Sequence, residues 1–265
     1  MAEEIKGLLA RGIALLYAAD YAAAAELFRE CIGKDPHDSE GYFYLGEALS
    51  EMNRTEEAVS IMEAGLKLAP DDDDAWTSLG DLYFESGRHK DALSCYLRVT
   101  ELTPQDADAH VNIGLVYNAL ERTDDAIRAF NSALEIDPEN AFAHNSLGDA
   151  WYGLGDRDKA IVAYRKGIEI DPEDAAAHFN LGDLYYDLGE FDDAERECRE
   201  AVRLDPTFTL SYLTLGNLCL DQERIRDAAH WFRQYLKYET SPQAAEMVDE
   251  VKAVLEGLKA ELEES

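Results

Sequence analysis

The chain has 265 residues, and its 56 acidic against 24 basic side chains give a formal net charge of -32. This balance argues against binding to nucleic acids or anionic lipids, because both need a basic surface. Apolar residues make up 46% of the chain, which is ample for a continuous core, and no run of about 18 apolar residues is present to span a membrane.

Three residue types recur along the chain at one fixed interval of 34 residues. The glycines are Gly12, Gly46, Gly80, Gly114, Gly148, Gly182 and Gly216. The prolines are Pro36, Pro70, Pro104, Pro138, Pro172 and Pro206. The alanines are Ala24, Ala58, Ala92, Ala126, Ala160, Ala194 and Ala228. A fixed period of roughly 20–50 residues predicts stacked structural repeats.

Each period contains two runs of apolar residues at helical spacing. With position 1 at residues 5, 39, 73, 107, 141, 175 and 209, apolar positions 4, 7 and 11 predict a first helix. Bulky residues at position 24 predict the face of a second helix that packs against the first. The small glycine and alanine are expected to let the two helices approach closely.

The helix boundaries are also predicted by residue type. N-cap acceptors precede most first helices, at Asp38, Asp72, Asp106, Asn140 and Asp174. Turn residues separate the two helices of a repeat, at Asn53, Gly87, Gly155 and Gly189.

The repeat pattern stops after Pro242, where residues 244–261 keep helical apolar spacing without the glycine and alanine. We predict a capping helix here, because a terminal repeat needs a more polar covering element; a self-association helix is the alternative. The predicted organisation is seven repeats over residues 1–241, starting near the residues given above. A capping helix and short acidic tail follow over residues 242–265.

The pattern Trp76-x-x-Leu79-Gly80-x-x-Tyr83…Ala92…Tyr96…Pro104 resembles the tetratricopeptide repeat, and copies of it cover Ile5 to Ser241. The resemblance implies an all-α fold, a right-handed α-solenoid superhelix whose first helices line a concave groove. Such arrays mainly supply extended surfaces for partners.

In this family, partner contacts come mostly from positions 2, 5, 6, 9, 12 and 13 of the first helix. Acidic residues are frequent there, at Glu40, Asp74, Asp108, Glu47, Asp81, Asp149, Asp183, Glu51, Glu85, Asp187 and Asp221. Basic residues are almost absent, Lys6 being the exception. A negative groove that steers a basic segment is one interpretation; a merely solvated acidic surface or adaptation to high salt are the others.

Asparagines on the same rows give a second indication, with Asn112 and Asn180 at position 6 and Asn145 at position 5. An amide both donates and accepts, so it can hold the backbone of an extended peptide. Serine or threonine interrupts this ladder in other repeats, which leaves exposed polar residues as the alternative. The predicted partner-binding residues are Asn112, Asn145, Asn180, Asn217, Glu47, Asp81, Asp149, Asp183, Asp187 and Tyr186.

Two motifs resemble metal sites, but structural roles in packing and helix capping explain them better. His110, His144 and His178 share position 4 in consecutive repeats, but stacked helices lie about 8–10 Å apart. Zinc requires nitrogens at about 2.0–2.1 Å from one centre. The run Asp71–Asp74 lacks the glycine and distal glutamate of a calcium loop. We predict no metal and no cofactor.

The sequence carries no recognisable catalytic motif, so we predict a non-enzymatic scaffold or adaptor that binds an extended basic segment. One alternative is a recognition module for a separate enzyme, as in repeat-bearing glycosyltransferases; another is a structural protein that self-assembles through its terminal helices. The four scattered cysteines predict buried thiols in a reducing cytoplasm, and the acidic start lacks the basic region of a secretory signal.

Overall fold

The computed structural model describes residues 2–264, and all regular structure in this range is helical. The helices are α1 (Ala2–Tyr17), α2 (Tyr21–Lys34), α3 (Glu40–Glu51), α4 (Thr55–Leu66), α5 (Asp73–Glu85), α6 (His89–Leu102), α7 (Ala107–Ala119), α8 (Thr123–Ile136), α9 (Ala141–Gly153), α10 (Arg157–Ile170), α11 (Ala175–Asp187), α12 (Phe191–Leu204), α13 (Thr209–Asp221), α14 (Ile225–Tyr238) and α15 (Ala245–Glu264). A short 3₁₀ turn, Pro242–Ala244, precedes α15.

The helix starts follow the predicted capping residues in four repeats. The side chains of Asp72, Asp106, Asn140 and Asp174 each accept a hydrogen bond from a backbone N–H in the first turn. Such bonds satisfy amide groups that have no partner within the helix. At α3 the N-cap is Ser39, one residue later than predicted, and Asp38 accepts instead from the Glu40 N–H at 3.2 Å.

The turns between paired helices share a left-handed residue. The four predicted turn residues all have positive φ, at Asn53, Gly87, Gly155 and Gly189. Three further turns place Ala19, Glu121 and Glu223 in the same conformation, which the sequence did not indicate. In this conformation the Cβ atom lies too close to the following carbonyl oxygen, a clash that glycine avoids and asparagine offsets by local hydrogen bonding, so these three turns carry backbone strain.

Close packing within each pair depends on the repeated glycine. A Cβ on Gly114 or Gly216 would come within 2.4 Å of the ring of Phe130 or Phe232, the position 24 residue of the same repeat. The repeated alanines are fully buried beside this contact. The glycine therefore makes room for a bulky side chain of the second helix, rather than for the alanine alone.

The chain forms two compact units, Met1–Pro138 with α1–α8 and Glu139–Ser265 with α9–α15. In the first, Phe28, Leu49 and Leu79 are among the fully buried core residues. In the second, Leu184 and Phe232 have this role. No helix within residues 2–264 has the length and apolar character needed to cross a membrane.

The last helix of the second unit packs against its neighbour α14. Val251, Leu255 and Leu258, spaced by three or four residues, are buried on that side. Met247 and Val254, 38% and 37% exposed, lie at the border of the same side. The helix thus covers the apolar surface of the preceding pair while exposing a mixed outer face.

Candidate functional site

The first unit has an acidic cleft between α3, α4 and α5, with a volume of about 490 Å³. Its lining residues are Glu40, Phe43, Tyr44, Glu47, Ser50, Glu51, Met62, Asp72, Asp74, Ala75, Ser78, Asp81, Leu82 and Glu85. Seven of these are carboxylates, and among the described residues that line the cleft none is basic. The cleft therefore concentrates negative potential beside two aromatic rings.

Several carboxylates in this cleft have no internal donor. Within the described part of the chain, no side chain donates a hydrogen bond to Glu40, Glu47 or Glu85. Glu47 keeps much of its surface in solvent, yet desolvation in the cleft and the neighbouring Glu51 raise the pKa of its carboxyl. A cation placed here would relieve that destabilisation.

A smaller cleft of about 180 Å³ continues along the first unit between α5, α6 and α7. Asp81 lines both clefts, and Asn112 lines the second together with Phe84, Glu85 and Tyr96. The Tyr96 hydroxyl donates to Asp81 Oδ1 at 2.6 Å. The structure thus brings together three of the predicted residues, Glu47, Asp81 and Asn112, along one series of helices.

In the second unit, hydrogen bonds join the first helices α9, α11 and α13. Asn180 Nδ2 on α11 donates to Asp149 Oδ1 on α9 at 3.1 Å. Thr214 on α13 donates to Asp183 Oδ1 on α11 at 3.2 Å. Both bonds connect position 6 of one repeat to position 9 of the repeat before it, so Asn180 and Thr214 link the predicted aspartates across neighbouring helices.

A second series of bonds runs parallel to this ladder. The Tyr152 hydroxyl donates to Asp187 Oδ2, and the Tyr186 hydroxyl donates to Asp221 Oδ2 at 2.7 Å. The hydrogen bond to Asp187 and partial burial raise the pKa of Tyr152 to about 12. These tyrosines therefore stay protonated at neutral pH and act as hydrogen-bond donors.

The position 9 carboxylates of the second unit are partly desolvated. Burial raises the pKa of Asp149 although Tyr164 donates to its Oδ1 at 2.6 Å. Burial also raises the pKa of Asp183, opposed by the bond from Thr214 and assisted by Asp187. Each carboxylate already has one internal donor or more and still keeps free acceptor capacity, since a carboxylate can accept about four hydrogen bonds.

The structure corrects the placement of Asn145. This residue is 7% exposed, and its Nδ2 donates to Asp174 Oδ2 at 2.8 Å. A Cβ on Gly167 of α10 would meet its Oδ1 at 1.9 Å. Asn145 therefore lies in the packing between α9 and α10 and supports the N-cap of α11, so it is not part of an exposed binding row. Asn217 is half-buried on α13.

Tyr96, Tyr164 and Thr214 contact the acidic rows but were not among the predicted site residues. The two tyrosines come from second helices, and each ring lies against the repeated glycine, Gly80 or Gly148. Part of their signal was present in the sequence: tyrosine at position 24 occurs in two of the three repeats that carry aspartate at position 9, and the third has Cys198. To recognise this signal, one would need to know that the tyrosine ring extends from the second helix to the position 9 aspartate on the first helix of the same repeat.

The histidine row has packing partners. His178 Nδ1 lies 2.8 Å from Glu197 Oε2 and its Nε2 lies 3.3 Å from the Pro172 carbonyl. Trp76 and Tyr212 donate to the equivalent proline carbonyls, Pro70 and Pro206, at the end of the preceding repeat. Among the described residues, no group of three or more histidine, cysteine or acidic side chains has metal-binding geometry. All four cysteines are free and buried.

Solved structures with the same architecture include several repeat proteins. A structure of MamA is 25% identical, covers 66% of this chain and 96% of its own, and gives a TM-score of 0.60. YrrB, described as a tetratricopeptide repeat protein with an unusual peptide-binding site, is 23% identical over 71% of this chain and 96% of its own, with a TM-score of 0.56. A tetratricopeptide repeat protein from Parabacteroides merdae covers 97% of this chain and 99% of its own at 18% identity, with a TM-score of 0.73.

Family models agree along both units. Models described as tetratricopeptide repeats match residues 15–78, 77–141 and 175–208, and a model described as TPR repeat matches residues 148–189. Comparison with curated proteins gives no significant match. Together with the paired helices, these matches show an all-α solenoid of helix-turn-helix repeats, and the chain belongs to the tetratricopeptide repeat family.

Proposed function

We propose that this chain is a non-enzymatic scaffold for protein–protein interaction, and that the first helices of its repeats bind an extended basic segment. The observation that carries the proposal is the acidic cleft of the first unit, in which seven carboxylates surround an open volume of about 490 Å³. Peptide binding by YrrB concerns that protein; the proposal for this chain rests on its own cleft.

The chemistry of the cleft favours lysine or arginine. The acceptors Glu40, Glu47 and Glu85 can each form a charge-assisted hydrogen bond with an incoming cation. The rings of Phe43 and Tyr44 in the same lining provide apolar area for the stem of a long basic side chain. Binding would therefore be driven by charge and by desolvation of aliphatic carbons, with the net charge of -32 increasing the association rate.

A matched pair of charge-reversal variants tests the proposal. In the cleft variant, Glu47→Lys is combined with Glu85→Lys. The control combines Glu26→Lys with Glu56→Lys, whose side chains are highly exposed outside the cleft. Both variants change the net charge equally. Binding of a fluorescent lysine-rich peptide to the full chain is measured by anisotropy at low and high salt.

We expect the cleft variant to bind at least about tenfold more weakly than the control, which corresponds to about 1.4 kcal/mol. Affinity for the unmodified chain should fall as salt rises. Equal loss in both variants would show that total charge, not the cleft, attracts the peptide. Affinity that does not change with salt would contradict the proposal.

We also propose the predicted organisation of seven repeats over residues 1–241 followed by a cap over residues 242–265. Burial of Val251, Leu255 and Leu258 of α15 against α14 supports the capping role. The four free, buried cysteines are compatible with the proposed reducing cytoplasm. Light scattering over a concentration series tests the cap, since a capped chain should remain monomeric.

A further inference from the structure

The first helices of the second unit expose two different kinds of side chain at their two ends. Near their N-terminal ends lies an apolar edge, which consists of Phe142, Phe179, Phe208 and Leu210. Near their C-terminal ends lies an acidic edge, which consists of Asp149, Asp183, Asp187 and Asp221. Phe142 and Leu210 are 57% and 50% exposed, although burial of such large apolar side chains is favourable.

The two edges belong to one continuous face. Phe142 and Asp149 on α9 are seven residues apart, and so are Leu210 and Asn217 on α13, which puts each pair on the same side of its helix. The bonds from Asn180 to Asp149 and from Thr214 to Asp183 join the neighbouring helices between the edges. Phe179 and Phe208 extend the apolar edge, with ring centroids 5.2 Å apart.

The first unit lacks this division. Three of its four position 2 residues are the acids Glu40, Asp74 and Asp108, the fourth being Lys6, where the second unit has Phe142, Ala176 and Leu210. Position 9 remains acidic or amide in the second unit, at Asp149, Asp183 and Asn217. The change from acidic to apolar at position 2 is thus confined to one edge of the face.

The spacing of the edges suits an extended peptide. Seven helical residues span about 10.5 Å, and successive side chains of an extended chain point to opposite sides. A backbone lying across α9, α11 and α13 can therefore direct alternate side chains to the apolar edge and to the acidic edge. By charge complementarity, the peptide side chains directed to the acidic edge must be cationic.

We propose that the second unit binds an extended segment in which apolar and basic residues alternate, with the apolar side chains on Phe142, Phe179 and Leu210 and the basic ones at Asp183, Asp187 and Asp221. This inference rests on the proposed function and adds the sequence pattern of the ligand. An extended segment of about eight residues is sufficient to cross three helices.

Three peptides of identical composition test the pattern, each with four leucines and four lysines. One alternates leucine and lysine, one has them in two blocks, and one has them at amphipathic-helix spacing. A fourth, in which serine replaces leucine, measures binding by charge alone. Each is titrated against the full chain by fluorescence anisotropy at one salt concentration.

The matched variants are Phe142→Glu with Leu210→Glu, which gives this edge the acidic character of position 2 in the first unit, and Val162→Glu with Leu97→Glu as control. Val162 on α10 is 69% exposed and Leu97 on α6 is 43% exposed, so the control adds the same charge elsewhere. Circular dichroism confirms that both variants remain folded.

We expect the alternating peptide to bind at least about fivefold more tightly than the block and serine peptides, and this preference to disappear only in the Phe142→Glu, Leu210→Glu variant. Equal affinity of alternating and block peptides would overturn the inference while leaving the proposed function intact. Tightest binding of the helical-spacing peptide would identify a helix as the occupant and also overturn it. Absence of binding by all four peptides would refute the proposed function itself.

A second copy of this chain is the remaining candidate occupant of the apolar edge. If light scattering shows that the unmodified chain dimerises and that Phe142→Glu with Leu210→Glu abolishes the dimer, a second copy of the chain covers the apolar edge, and the inference is wrong. A monomer in both cases supports a separate ligand.

Discussion

The acidic residues of the two units look alike in sequence but differ in what surrounds them. In the first unit, Glu40 and Glu47 face an open cleft without side-chain donors among the described residues. In the second, Asp187 and Asp221 each accept a hydrogen bond from a tyrosine of the preceding repeat. In the part of the chain that the structure describes, the first set has no internal side-chain donor, whereas the second also contributes to the cohesion of neighbouring helices and keeps part of its acceptor capacity free.

This difference shows that the charge of a row does not by itself describe its function. A carboxylate that is desolvated and close to other carboxylates destabilises the free protein and gains from a cation. A carboxylate that accepts an internal hydrogen bond stabilises the free protein by about 1 kcal/mol. The two units should therefore respond in opposite directions when their acids are neutralised.

The largest expected effect on stability concerns a contact that both units share, between a tyrosine ring and the repeated glycine. In both, a tyrosine ring passes a repeated glycine to reach an aspartate, as Tyr164 does beside Gly148 to reach Asp149. A Cβ at Gly148 would lie 2.5 Å from that ring, so Gly148→Ala should destabilise the second unit by about 1–3 kcal/mol through overpacking. Urea unfolding in a Trp76→Phe background, where Trp151 and Trp231 of this unit supply the tryptophan emission, measures the loss.

Gly153→Ala in the same helix is the matched control. Nothing lies within 4 Å of a Cβ there, and alanine is the better helix former by about 1 kcal/mol. The control should be neutral or stabilising. If Gly148→Ala is equally well tolerated, the ring contact does not determine the residue at this position.

The next prediction tests the contrast directly. Asp187→Ala with Asp221→Ala removes two acceptors from tyrosine hydroxyls and should destabilise the second unit by about 1 kcal/mol or more. Glu40→Gln with Glu47→Gln removes repulsion between carboxylates in the first unit's cleft. It should leave the free energy of unfolding unchanged or raise it by about a few tenths of a kcal/mol, because interactions between exposed charges are weak.

Trp76 lies in the first unit, and Trp151 and Trp231 lie in the second. Urea titrations of each variant in a Trp76→Phe background and in a Trp151→Phe, Trp231→Phe background therefore separate the two responses. A loss of stability in both variants would mean that the first unit's carboxylates also have internal partners that matter. A loss in neither would mean that the tyrosine bonds are too exposed to contribute.

The smallest expected effect concerns pH. Glu197 and the Pro172 carbonyl face the two ring nitrogens of His178, and the bond to Glu197 raises the pKa of this histidine above its usual value. Burial opposes ionisation of Glu197, but the bonds from His178 and Arg196 outweigh it and lower the pKa of that carboxyl. The charged pair is therefore favoured in the folded chain near neutral pH.

Because the folded pKa of His178 is raised, its stabilising contribution is complete below the ordinary histidine pKa of about 6.5 and is lost as pH rises through the folded value. The free energy of unfolding of the second unit should fall over this range by up to about 1 kcal/mol. His178→Tyr, the residue type of Tyr212 at the same position, should remove this pH dependence. Parallel pH profiles of variant and unmodified chain would contradict the assignment.

The fold could be predicted from the sequence because one signal repeats in phase. The first-helix starts at Asp73, Ala107, Ala141, Ala175 and Thr209 coincide with the predicted repeat starts, and the capping residues before four of them have the predicted bonds. These are local effects of residue type on backbone geometry, so they are readable without knowledge of tertiary contacts.

The site could be predicted only in part. Helical phase placed Asp149, Asn180 and Asp183 on one side of their helices, and in the structure Asn180 donates to Asp149 while Thr214 donates to Asp183. Phase could not show that Asn145 turns into the packing beside Gly167, or that Tyr164 arrives from the second helix. Both depend on distances between helices, which the sequence pattern of one repeat does not contain.

The strained turns have a consequence for engineering. Ala19, Glu121 and Glu223 hold left-handed backbone conformations that glycine occupies in three equivalent turns. All three residues are exposed, and none lines the clefts of the first unit. Their replacement by glycine should therefore relieve roughly 1 kcal/mol of strain per turn, so the thermal tolerance of this protein can be adjusted independently of what it recognises.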